Sequence, residues 1–130
     1  MAPFQDGWTE DEVEAAIARG LPEELAYVPI AVSMDPPDLA WAQGICIALA
    51  VHPHPGVRGN AILGFGHLAR SCGRLDAAAV VPLIVAALGD DSDYVRGHAI
   101  DAADDLQHFL GICVPRPGYR SPGGPTGDES

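Results

Sequence analysis

Four side chains late in the sequence have the types and the spacing to do chemistry. His98, Asp101, Asp105 and His108 follow one another at intervals of three, four and three residues, which places them on one stripe of an α-helix. Two imidazoles and two carboxylates are donors suited to iron, manganese or zinc. A helical two-metal site, however, takes its ligands from several helices. A single stripe reads instead as a polar face opposite an apolar one, and no metal or other cofactor is expected. His52 and His54, flanking Pro53, form a weaker pair of the same kind.

His67 stands four residues before Ser71 and five before Cys72. Catalysis there needs a nucleophile held beside the imidazole, and neither candidate has a sharp elbow or a carboxylate paired with it. A histidine hydrogen-bonded between helices is the expectation. Cys46 and Cys72 are expected to pack as small apolar groups. Gly64-Phe65-Gly66-His67 lacks the preceding strand and following Lys-Ser/Thr of a phosphate loop. No catalytic residues are assigned and the chain is read as a non-enzyme.

These side chains must be positioned by helices. Thr9 and Glu12 have capping-box spacing, and Gly20 closes the first helix. Pro22 suits a first helical position, and Leu25, Val28 and Val32 continue a second helix to Asp35-Pro36-Pro37, with Pro29 expected to kink it. Asp38 caps a third helix through Val51, with Leu39, Ala42, Ile45, Cys46 and Leu49 inward. A fourth runs from about Val57 to Ser71 and a fifth over Ala77–Leu88, interrupted by Pro82. A sixth spans Asp93–Leu110, burying Val95, Ala99, Ala102, Leu106 and Phe109. Trp8 suits a hydrophobic staple ahead of the Thr9 cap. Trp41 is expected in the core, or, if exposed, as a binding anchor. No segment alternates with period two, so no strand is expected.

The composition agrees. The chain has 130 residues, the length of one domain, with 48% apolar residues, 6% aromatics and 20 alanines, which favours closely packed helices. It has no lysine, and 18 acids oppose seven arginines for a net charge of −11. Phosphate backbones are repelled by such a surface, so nucleic acid is not an expected partner. The Pro- and Gly-rich stretch from Val114 onward reads as a disordered tail. Its Arg116 and Arg120 balance Asp128 and Glu129, so the acidity belongs to residues 1–113. Three widely spaced cysteines make no disulfide framework or zinc site. The acidic N-terminus lacks signal-peptide character, and the longest apolar run, Ala77–Leu88, is shorter than the roughly 20 residues a membrane span needs. A cytoplasmic location without membrane contact is expected.

Val57-Arg58-Gly59-Asn60-Ala61-Ile62 matches Val95-Arg96-Gly97-His98-Ala99-Ile100 at five of six positions, 38 residues on. That period suits a two-helix solenoid repeat. Glycine inside a helix costs about 1 kcal/mol against alanine, so Gly59 and Gly97 are expected at close helix crossings. Arg58 and Arg96 are expected to tie each turn to its neighbour through carbonyls or carboxylates.

The acidic turn Asp90-Asp91-Ser92-Asp93, the following VRGHA and the preceding proline-bearing VVPLIVAAL resemble a HEAT repeat of the short bacterial type also found in phycobilisome-lyase-like proteins. The likeness covers residues 76–110 well, 38–72 fairly and 9–34 poorly. It implies an all-α fold, a short α-solenoid of about three HEAT-like helical hairpins over residues 1–113, with a surface that binds other proteins. VRGNAILGFGHLAR and DAADDLQHFL also resemble small bacterial immunity or antitoxin-like proteins. The HEAT enzymes that hydroxylate a modified lysine carry His-Glu pairs, and no histidine precedes a glutamate here.

The expectation is therefore a binding module that engages a basic protein, such as a bacterial toxin, through an acidic solenoid face. The partner-binding candidates are Asp90, Asp91, Asp93, Asp101, Asp104, Asp105 and His108, and the protein is expected as a monomer or weak dimer. The alternative is a metal-dependent enzyme or lyase-type accessory built on the same repeats.

Overall fold

The computed structural model describes residues 8–34, 36 and 38–116. Among these, every regular element is a helix: α1 (Glu10–Arg19), α2 (Pro22–Leu25), α3 (Val28–Met34), α4 (Leu39–Leu49), α5 (Pro55–Cys72), α6 (Ala77–Leu88) and α7 (Asp93–Leu110). The Thr9 and Asp38 caps expected from sequence are in place, whereas Asp76 precedes α6 without a side-chain capping bond. Thr9 and Glu12 exchange the two hydrogen bonds of a capping box, and Asp38 Oδ1 accepts from the Trp41 N–H. Gly20, Gly73 and Gly111 close α1, α5 and α7 with φ near +70°, a left-handed conformation that disfavours a Cβ.

The expected second helix is two helices. The chain turns at Ala26 and Tyr27, and Pro29 becomes the second residue of α3. In that first turn its missing N–H has no helical acceptor to lose, so the proline starts a helix instead of kinking one. Pro82, by contrast, lies inside α6.

The helices form three hairpin-like units around α5, which touches α2, α3, α4, α6 and α7. Helices α3, α5 and α7 lie side by side in one row. On the other side, α4 contacts α6, and α1 reaches α4 through the Trp41 Nε1–H bond to Glu14. Trp8 and Trp41 are stacked at 5.6 Å. Both tryptophans are partly buried against the core and not inside it, so Trp8 meets a ring on α4 and Trp41 is half covered by it.

The row is registered by a polar ladder. Asn60 Nδ2 donates to the Ala26 carbonyl at 2.7 Å, the Tyr94 hydroxyl donates to Asn60 Oδ1, and Ser33 Oγ meets His67 Nδ1 at 3.1 Å. Each link joins residues 34 apart. The sequence repeat of 38 exceeds that by four residues, about one helical turn. Equivalent helices therefore run parallel, each contacting a neighbour residue one turn displaced.

Val57, Ala61, Phe65 and Leu68 of α5 are fully buried with Val80 and Ile84 of α6 and Val95, Ala99, Ala102 and Leu106 of α7. Phe109 departs from expectation: it is 42% exposed. It lies in the last turn of α7, beyond the buried stripe that ends at Leu106, and stands edge-on to His108. At the far end Val114 is buried and Arg116 pairs with Asp104. Residues 117–130, most of the expected tail, lie outside the described residues. Among those described, no helix is long and apolar enough to cross a membrane.

Candidate functional site

Helix α7 starts from a capped acidic turn. Ser92 caps it by accepting from the Val95 N–H. Asp90 points back: Arg58 Nε and Nη2 donate to its two oxygens at 2.7 Å each. Arg58 Nη1 also reaches the carbonyls of His52 and Pro53. Arg96 repeats the motif, donating to the Asp90 carbonyl and pairing with Asp93. Both arginines thus bond the carbonyl six residues before them, as the repeat implied. The Arg58 guanidinium holds the Asp90 carboxyl below its usual range against the opposing cost of burial, and Asp90 is tied into the joint between hairpins.

The other candidate acids are more open. Asp91, Asp93, Asp101, Asp104 and His108 are exposed, while Asp105 is partly buried. Arg116 pairs with Asp104. The stripe is not wholly solvated, since Asp105 and His98 are partly buried. Among the described residues no three His, Cys, Asp or Glu side chains are grouped to hold a metal ion, and one flank of the stripe turns towards α5.

That flank lies over glycines. A Cβ on Gly59 would come within 2.7 Å of the Tyr94 ring and 3.5 Å of His98, and one on Gly66 would come within 2.5 Å of an Asp105 carboxylate oxygen. The equivalent Gly97 has nothing within 4 Å, which corrects the expectation of two equivalent close crossings. Gly59 faces α7, but α7 is the last helix of the row, so Gly97 faces no further repeat.

Tyr94, His98, Asp101, Asp105 and His108 therefore form a continuous line along the α7 edge that borders α5. Tyr94 and Asn60 were missed in the sequence reading. The signal was a stripe that extends one step upstream, from His98 to Tyr94, at the same four-residue interval. His98 stands edge-on to the Tyr94 ring at 4.5 Å, with Nδ1 buried and unpartnered. Burial lowers the pKa of His98, opposed by the Asp101 charge. Burial likewise lowers His67, reinforced by Arg70 and opposed by Asp105, and it raises Asp105.

Ser33, not Ser71 or Cys72, is the hydroxyl that meets His67, and it is fully buried. The pair ties α3 to α5, as an interhelical histidine should. Burial pushes the Cys46 thiol up to about 12, in agreement with its apolar role. His52 and His54 use Nδ1 to accept backbone N–H groups of the turn that starts α5. Elsewhere, an open cleft of about 580 Å³ lies between the start of α4 and the α5–α6 turn, lined by Asp38, Gln43, Arg74 and Asp76 among others.

This chain is similar to one in the crystal structure of a CDI complex from Cupriavidus taiwanensis LMG 19424. The two share 30% identity with a TM-score of 0.67, over 78% of this chain and 90% of the other. This chain belongs to the same family as that protein. No protein-family model matches the sequence, and no curated protein matches it. The likeness to HEAT repeats thus rests on the hairpin architecture and the paired VRG segments. The alignment over most of both chains shows that the helical row, and not just one hairpin, is shared.

Proposed function

We propose that this protein is the immunity partner of a contact-dependent inhibition toxin: a non-enzymatic binder that occupies a cationic toxin and blocks it. The observation that carries this reading is the 30% identity to a chain of a CDI complex across 90% of that chain. Such a complex pairs a toxin with its inhibitor, and the chemistry of this chain suits the inhibitor. Its charge is −11, and the hydroxyl that meets His67 belongs to Ser33, a fully buried serine.

The acidic residues of the last hairpin form the guiding surface. Asp91, Asp93, Asp101, Asp104 and Asp105, with His108, draw in a basic protein by long-range attraction, which raises association rates and weakens with salt. Asp90 supports that surface from beneath by clasping Arg58. The work is done in the cytoplasm, where an inhibitor meets a toxin that has entered.

Co-expression with the polypeptide encoded by the adjoining upstream reading frame tests the proposal. The expected result is growth arrest by that polypeptide alone, rescue by this protein, and a co-purifying complex that dissociates faster as salt rises. A toxic upstream product that neither binds this protein nor loses toxicity in its presence would overturn it.

A further inference from the structure

Helix α7 carries exposed aromatic rings at both ends of its polar line, Tyr94 at 48% and Phe109 at 42% exposure. They stand fifteen positions apart along the helix, about 22 Å. Between them lie Asp101 and Asp105, and α5 contributes Leu63 and the exposed Arg70 alongside. Arg70 is within electrostatic reach of Asp105 and His67, so it offsets part of the Asp105 charge and leaves Asp101 the more exposed carboxylate.

Tyr94 is unusually well prepared for binding. Its ring lies against Gly59, its hydroxyl is held by Asn60, and His98 packs T-shaped against it. A half-exposed ring already fixed in place loses little side-chain freedom on association. Tyrosines of this kind supply binding energy at protein interfaces, whereas exposed charges mostly supply steering.

We infer that the open face where α7 lies along α5 is the docking surface for a cationic protein segment, with Tyr94 as its anchor and Asp101 as its charge partner. The inference rests on the proposed function and names the site within it. Arginine or lysine from the partner stacks on the Tyr94 ring, where a cation within about 6 Å is attracted by the ring's negative face. A second cationic side chain pairs with Asp101. An extended segment of about seven residues spans the line at roughly 3.3 Å per residue.

The test uses the full chain with the polypeptide of the adjoining upstream reading frame, measuring affinity by calorimetry and the footprint by hydrogen exchange. Tyr94→Ala is expected to weaken binding about 30-fold, the scale of an interface hot spot. Asp101→Asn is expected to weaken it about fivefold, with a shallower salt dependence. Glu23→Gln, an equal change of charge on α2, is expected to leave binding within twofold. Because Tyr94 also touches α5, circular dichroism establishes that its variant is folded, and the exposed Asp101 gives an independent reading. A complex whose protection falls on α4 and α6, or whose affinity ignores Tyr94 and Asp101, overturns the docking site while the proposed function stands. The same holds if Glu23→Gln matches Asp101→Asn. No complex with the wild-type chain overturns both.

Discussion

Arg58 on α5 holds the carboxylate of Asp90, in the turn before α7, through two hydrogen bonds of 2.7 Å. The two groups come from successive hairpins, and both are mostly shielded from solvent. Charge-assisted forks of this geometry are the stronger class of side-chain contact.

Removing one member leaves the other unmatched. Asp90→Ala should lower the unfolding free energy by about 2 kcal/mol, below the roughly 3–5 kcal/mol of a fully buried pair. Urea denaturation followed by circular dichroism measures this. The pair also has a pH signature. The folded-state pKa of Asp90 is depressed, so its contribution is complete above the unfolded carboxylate pKa and is lost as pH falls through the lower folded value. The wild type should therefore lose more stability than Asp90→Asn on acidification below about pH 4.

The two partly buried histidines set a second pH window. His67 and His98 both have folded pKa values lowered first by burial. A lowered folded pKa means the unfolded chain binds protons more readily, so stability is complete above about pH 6.5 and declines as pH falls below it. Groups facing them are Ser33 on α3, Arg70 on α5, and Asp101 and Asp105 on α7. Denaturation midpoints at pH 7.5 and 5.5 should differ in the wild type, and His67→Gln with His98→Gln should flatten the difference. An unchanged slope in the double variant would contradict this.

Two glycines that are equivalent in sequence should answer oppositely to alanine. Gly97→Ala should stabilise by about 0.5–1 kcal/mol, since the new methyl meets nothing and helix propensity improves. Gly59→Ala should destabilise by about 1–3 kcal/mol because the Tyr94 ring must move. Thermal unfolding of the two variants, compared with wild type, provides the check.

The cysteines should separate by reactivity. Cys46 is buried with a thiol pKa pushed up to about 12, and Cys113 is exposed. At pH 8, iodoacetamide should modify Cys113 in the folded protein and reach Cys46 only on unfolding. Peptide mass spectrometry reads both sites, and rapid native labelling of Cys46 would contradict the packing around it.

Much of this was legible in the sequence because it depends on short-range chemistry. Thr9 and Asp38 cap helices by bonds to N–H groups three residues away, and the VRG repeat implied arginines bonded to the preceding turn. The charge excess is likewise a property of composition. Tertiary structure decided which face of each helix had a neighbour. Pro29 starts a helix because the chain turns at Tyr27, and Phe109 is exposed because α7's buried stripe ends at Leu106. A Cβ at Gly59 would meet the Tyr94 ring and one at Gly97 would meet nothing, because only Gly59 has a neighbouring helix beside its Cα. The polar line from Tyr94 to His108 has the same spacing whether it meets solvent, metal or protein. Only the parallel packing of α7 along α5 sets Tyr94 against Gly59 and turns that spacing into a surface, since helical periodicity specifies which side chains share a stripe but not what lies opposite it.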